Sequence, residues 1–150
     1  MDIHQMLAPI DFSAPSKQAV ASAYEWARTF GAKLLLLHVV DLVVYPAEMF
    51  LVSEAGTTML DDLERQTQLD LSQLIPKSED GTVEVRCRAV VGTPYLKIIE
   101  LAAAEHVDLI VMSTHGRTGL SHLVMGSAAE RLVRMAPCPV LTIRPTSAST

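Results

Sequence analysis

Short apolar runs alternate with stretches of helical period along nearly the whole chain, the pattern of βαβ units around a parallel sheet. Five runs are predicted as strands: Met6 to Pro9, Lys33 to Val40, Val83 to Val91, Leu109 to Met112 and Val140 to Ile143. Lys33 to Val40 is almost continuously apolar, as expected of a strand covered on both faces. Val83 to Val91 instead alternates, which suits an edge strand with one wetter face. Between the first two strands Ala19, Val20, Ala23, Ala27 and Phe30 recur at helical spacing. Ser13 can cap that helix and Gly31 can end it in the left-handed conformation. Leu60, Leu63, Thr67, Leu71 and Leu74 mark a second helix from Thr58 to Leu74, ended by Pro76. A third opens at Thr93-Pro94 and buries Leu96, Ile99 and Ala103 as it runs to His106. A fourth spans Ser127 to Met135.

One stretch resists this parsing. Asp41 to Met59 has no assigned element, yet Val43, Val44, Tyr45, Met49, Phe50, Leu51 and Val52 make it too apolar for an ordinary loop. It could form a further helix that the pattern does not reveal, but a role in covering a ligand or packing on a second subunit is expected. The length of 150 residues favours a single domain, 1-150. Lys plus Arg is 12 against 17 Asp plus Glu, a net charge of −5, so the basic stripe of a nucleic-acid binder is not expected. The longest apolar run, Leu34 to Pro46, is broken by His38 and Asp41 and falls short of the ~20 residues of a membrane helix. The start has no leader pattern, and a cytoplasmic location is expected. Cys87 and Cys138 are too few for a disulfide framework or a cysteine metal quartet. Cys138 is expected to begin a strand and Cys87 to fill the core or an edge.

Chemistry concentrates between Ser113 and Ser127, a glycine-bearing link from a strand to a helix start. There the backbone can approach a phosphate, and the amides of a helix N-terminus can bind an anion. A plainer reading competes with this: Ser127 and Glu130 have capping-box spacing, and a Glu130 carboxylate folded over the first amides would occupy the place of a phosphate. Neither the G-x-x-x-x-G-K-[ST] loop nor G-x-G-x-x-G is present. Arg117 is the one fixed cation of the loop, with His115 and His122 contributing charge only when protonated. Neither histidine has a carboxylate or cysteine cluster beside it, so a metal site is not expected there. That composition suits holding phosphates better than transferring them. His38, in an apolar strand, reads as a core histidine with a satisfied hydrogen bond.

Ala8-Pro9-Ile10-Asp11-Phe12-Ser13, Leu36-Leu37-His38-Val39-Val40-Asp41, Val91-Gly92-Thr93-Pro94, Thr114-His115-Gly116-Arg117-Thr118-Gly119 with Gly126-Ser127, and Ala136-Pro137-Cys138-Pro139-Val140 follow one another in the order of a universal stress protein, which this chain resembles nearly throughout. The resemblance implies an open five-stranded parallel sheet of order 3-2-1-4-5 with helices on both faces, Rossmann-like, and a homodimer. It also implies ATP as ligand, since ATP-binding members carry G-x-x-G, nine residues, then G-[ST]. Gly116 and Gly126-Ser127 match, while Ser113 replaces the first glycine, a departure that matters if that position needs a positive φ. Carried over by position, Asp11 faces the ribose or a magnesium ion held by the phosphates, and Val39 offers its backbone to the adenine. Ser113 and Gly116 line the ribose and phosphates, with Arg117 near them. The amides of Gly126, Ser127 and Ala128 bind the phosphates, and Pro9, Ile10 and Met112 complete the wall. The function implied is that of a nucleotide-responsive regulatory dimer in a stress response, acting on a protein partner. A slow ATPase or phosphotransfer enzyme and a nucleotide-free interaction module remain as alternatives. The dimer is expected through strand 140-143, an apolar edge with unpaired backbone groups, and a proline at Leu141 is expected to break it.

Overall fold

In the computed structural model, which describes residues 2-41, 51, 58-75, 82-115 and 125-144, five strands and four helices alternate. They run β1 (Gln5–Pro9), α1 (Ala14–Phe30), β2 (Lys33–Val40), α2 (Met59–Ser72), β3 (Val85–Val91), α3 (Pro94–Ala104), β4 (Leu109–Ser113), α4 (Ser127–Met135) and β5 (Val140–Ile143). The sheet order is β3-β2-β1-β4-β5 with every pairing parallel. The α/β fold and the order 3-2-1-4-5 are as expected. Most of the apolar segment between Asp41 and Met59 lies outside the described residues.

Successive strand residues point to opposite faces, and the two faces feed separate cores. Met6, Ala8, Leu34, Leu36 and Val111 pack under α1 and α2 with Val20, Ala23 and Leu71. Leu7, Leu35, Leu37 and Ile110 pack under α3 and α4 with Ile98, Leu101 and Leu132. β1 and β2 need apolar residues on both sides because both sides are covered, and each fully buried leucine contributes about 1.5 to 3 kcal/mol. His38 is buried among them, its Nδ1 2.7 Å from the Ile10 carbonyl oxygen, which is the core role expected of it.

The edge strand β3 keeps Val85 and Cys87 against the core and turns Arg86 and Arg88 outward. Both guanidiniums meet Glu105, at 2.7 and 2.9 Å, and hold its carboxyl below the usual carboxylate range. Asp108 is lowered likewise, because it accepts the His4 and Gln5 amides at 2.8 and 2.9 Å.

Several sequence expectations shift here. Phe30 does not join the buried stripe of α1: it is 45% exposed and packs edge-on against Trp26, while Tyr24 takes a core position. The buried face of α3 is Ile98, Leu101 and Ala102; Leu96 and Ala103 are exposed, so the stripe is rotated from the expected one. Cys138 lies in the bend before β5 and does not begin it. Burial raises its thiol, and that of Cys87, above the ordinary range.

Helix ends follow the sequence more closely. Ser13 Oγ accepts from the Ser16 amide at 3.3 Å, and Gly31 ends α1 with φ 65°. Its amide donates to the Arg28 carbonyl, and the Ala32 amide donates to that of Ala27. α3 closes through the same pair of bonds, His106 N to Ala103 O and Val107 N to Ala102 O, but with a histidine at φ 51° where α1 has glycine. His106 is exposed, so its side chain supplies little to offset the left-handed backbone. His106→Gly is therefore expected to stabilise the fold by about 0.5 to 1 kcal/mol, the relief of strain exceeding the added freedom of the unfolded chain. Scanning calorimetry would read this as a Tm raised by about 1 to 4 °C, and a lower Tm would place His106 in a contact that matters.

Candidate functional site

The crossover from β1 leads to β2 on one side of the sheet, while β4 lies on the other. Neighbouring crossovers depart in opposite directions there, and a crevice opens beyond the carboxyl ends of the strands. It has a volume of about 290 Å³. One wall is the end of β1 and β2: Pro9, Ile10, Asp11, Leu37, Val39 and Asp41. The other is the end of β4 and the start of α4: Met112 to His115 and Gly126 to Ala129. Pro94 and Ile98 of α3 and Ser16 of α1 also border it. The structure thus brings Pro9, Ile10, Asp11, Val39, Met112, Ser113, Gly126, Ser127 and Ala128 to one place. Gly116 and Arg117 lie outside the described residues.

Asp11 stands where β1 gives way to α1. Its Oδ1 accepts from the Ser13 amide at 3.0 Å and from the Ser13 hydroxyl at 2.5 Å, and its own amide donates to Ser16 Oγ. It is a helix-entry carboxylate and a crevice residue at once. The next residue, Phe12, adopts φ 63°, a conformation that costs a non-glycine residue on the order of 1 to 3 kcal/mol. Its ring lies 4.9 Å from that of His38, so core packing holds the turn that presents Asp11.

Val39 offers backbone rather than side chain. β1 pairs with β2 only as far as Pro9 opposite Leu37, whereas β2 runs on to Val40. The Leu37 carbonyl faces β1, accepting from Ile10 N at 2.9 Å, and the Val40 carbonyl faces β3, accepting from Gly92 N at 3.0 Å. Backbone groups alternate sides along a parallel strand. The Val39 N–H and C=O consequently point to the β1 side, past the last paired residue of β1 and into the crevice.

At the opposite wall the competing reading, a capping box between Ser127 and Glu130, does not form. Gly126 is the N-cap, with φ −60° and ψ 145°, and no side chain caps α4. Ser127 is already inside the first turn, while Glu130 pairs with Arg134 at 2.9 Å, away from the helix start. The first backbone bond of the helix runs from Glu130 N to Gly126 O. The amides of Ser127, Ala128 and Ala129 are the orphan donors of a helix N-terminus, carrying about half a positive charge, whereas the Gly126 amide, expected to bind phosphate with them, is already taken by the Thr114 carbonyl.

The serine at the family glycine's position is accommodated. Ser113 does not have a positive φ, so the conformational freedom of glycine is unused. Its hydroxyl donates to the His115 carbonyl at 2.6 Å, within its own segment. The Thr114 carbonyl accepts from Gly126 N at 2.9 Å, which fixes the end of β4 against the start of α4.

Asp41, Thr114 and His115 also border the crevice but were not among the expected binding residues. Asp41 ends β2 as Asp11 ends β1, so its strand-end position was a usable signal. Pro94 and Ile98 had none, because α3 meets this site only through tertiary packing.

Two aspartates face a helix N-terminus across an apolar crevice, at the switch point of a doubly wound sheet. That arrangement sets carboxylate acceptors on one side of the crevice and backbone amide donors on the other. The chain belongs to the universal stress protein family, whose sequence profile matches residues 3-144. Universal stress protein MJ0531 of Methanocaldococcus jannaschii is 31% identical over 141 residues, covering 93% of this chain and 81% of that relative. The solved structure of MJ0577, from the same archaeon, is 26% identical with a TM-score of 0.79, covering 99% of this chain and 100% of that one. The universal stress protein from Archaeoglobus fulgidus in complex with dAMP matches at TM-score 0.64 over 95% of this chain and 99% of its own. Its identity is 21%, so that likeness is one of fold.

Proposed function

We propose that this chain is a nucleotide-binding domain that takes ATP in the crevice and signals its occupancy as a homodimer to a protein partner in the cytoplasm. The observation that carries the reading is the uncapped N-terminus of α4 facing Asp11 across the crevice. The phosphates suit the α4 amides, the ribose hydroxyls suit Asp11, and the adenine edge suits the N–H and C=O of Val39. The dAMP held by the Archaeoglobus fulgidus protein is an adenine nucleotide on the same fold. Among the described residues no group of three metal-ligating side chains occurs. A magnesium ion would arrive with the phosphates and supply charge neutralisation, and Asp11 would be able to hold it as the alternative to the ribose hydroxyls.

Among the described residues the crevice wall carries no lysine or arginine, which favours holding phosphates over transferring them. Helices of the described residues are too short or too polar to cross a membrane.

Calorimetric titration with ATP, ADP and AMP tests the reading. ATP at a hundred times Kd is expected to stabilise the fold by about 2.7 kcal/mol, raising Tm by about 5 to 10 °C. Phosphate release should stay at background over the same hour. Sustained turnover would replace the reading with the phosphotransfer one. Neither heat nor thermal shift at millimolar ATP with magnesium would leave an interaction module.

A further inference from the structure

The ladder between β1 and β2 ends on a side chain. Its last backbone bond runs from the Ile10 amide to the Leu37 carbonyl at 2.9 Å, and its last paired residues are Pro9 and Leu37. One further step of a parallel ladder would bring the Val39 N–H onto the Ile10 carbonyl. That carbonyl accepts instead from His38 Nδ1, at 2.7 Å in a buried bond. A carbonyl oxygen cannot donate, so the proton of this bond sits on Nδ1.

Two contacts of one imidazole therefore act on the end of β1. The bond to Ile10 satisfies a buried carbonyl that would otherwise need the next backbone donor in line. The ring also lies 4.9 Å from that of Phe12, whose φ of 63° turns the chain out of the strand direction. Val39 borders the crevice, and its N–H stays outside the ladder because its natural acceptor is taken.

We infer that His38 terminates the β1–β2 ladder and so keeps the Val39 N–H available to the base of a bound nucleotide. It acts through Val39 and is a positioning residue. The ligand half of this rests on the nucleotide reading of the crevice, while the ladder half stands on backbone geometry alone.

The test compares wild type, His38→Phe and His38→Asn, with melting curves to verify folding. Phenylalanine keeps a buried ring against Phe12 but has no donor, and the asparagine amide can stand near the position of Nδ1. In ligand-free His38→Phe the Val39 amide is expected to bond to the freed Ile10 carbonyl. Its hydrogen exchange, measured against the Leu37 amide already inside the ladder, should slow at least about tenfold. Adenosine should bind this variant roughly three- to tenfold more weakly, the worth of a neutral hydrogen bond, while inorganic pyrophosphate binds all three proteins alike. His38→Asn should return both Val39 exchange and adenosine affinity toward wild type, which a merely structural role for the ring would not do. Wild type by itself overturns the inference if its free Val39 amide is already as protected as that of Leu37. Unchanged adenosine affinity in a folded His38→Phe protein overturns it too, as does an equal loss for pyrophosphate. If adenosine fails to bind wild type, the nucleotide reading falls, while slowed Val39 exchange in His38→Phe still upholds the role of His38 in the ladder.

Discussion

Gly126→Val is expected to abolish nucleotide binding, lowering affinity at least about a hundredfold, while the protein still folds. The backbone there has an ordinary φ of −60°, so a side chain introduces no strain. A Cβ at this position would meet only the Thr114 carbonyl oxygen, at 3.6 Å, an ordinary contact. Gly126 lines the crevice, and the two methyls of a valine are expected to take up space in front of the α4 amides. Valine is a poorer N-cap than glycine, and helix capping should fall by roughly 1 kcal/mol, a Tm loss of about 2 to 4 °C. Ser127→Ala should cost less, about ten- to a hundredfold in affinity, the worth of one hydrogen bond to a charged group. Calorimetry on the two variants decides the point: wild-type affinity in a well-folded Gly126→Val protein would remove this helix start from the site.

Thr142→Pro is expected to convert a dimer into monomers. The sheet has two edges of different character. β3 carries Arg86 and Arg88, paired with Glu105, and such charges discourage strand addition. β5 carries Val140, Leu141, Thr142 and Ile143 with no charge, all partly exposed in the single chain. The choice of residue follows from the ladder. Pro139 O accepts from Ile110 N and Ile143 O from Thr114 N, so the odd-numbered residues of β5 turn their backbone groups toward β4. A proline at Leu141, the substitution the apolar run suggested, would therefore break the β4 pairing and test the fold. Thr142 presents its N–H outward. Its replacement removes a donor, and places a ring, twice across a two-fold interface, weakening association by at least about a hundredfold. Light scattering at high micromolar concentration should give a dimer for wild type and a monomer for Thr142→Pro. A monomeric wild type ends the proposal, and a dimeric variant moves the interface off β5.

Legibility in the sequence followed the physics of each feature. Continuous apolar runs and glycine helix ends are local signals, and β1, β2 and Gly31 fell where the pattern put them. The bounds of α4 did as well, but the capping reading of Ser127 did not hold, because serine three residues before glutamate is a spacing without a phase. It cannot tell an N-cap from the first helical residue, and the glycine before it took the cap. The stripe of α3 was misplaced for a related reason: its eleven residues are so rich in apolar side chains that more than one face qualifies. Asp41 was passed over because its neighbours belong to an apolar segment with no assignable element, although it ends a strand just as Asp11 does. That His115 Nε2 is buried with no partner among the described residues had no sequence signature at all, since it depends on which groups three-dimensional packing leaves nearby.

The place of β1 in the sheet has a consequence for the order in which the protein can be made. β1 lies between β2 and β4, and the Asp108 carboxylate grips the His4 and Gln5 amides from more than 100 residues away. As the chain leaves the ribosome, β1, β2 and β3 can pair with one another long before β4 exists. Until Leu109 to Ser113 emerges, the far side of β1 has no strand beside it, and long-range pairing of this kind is the slow step of parallel sheets. The crevice needs β4 and α4, so it is among the last features to form. Ligand binding accordingly cannot assist the early steps of folding; it can act only on a chain whose central strand has already found both neighbours.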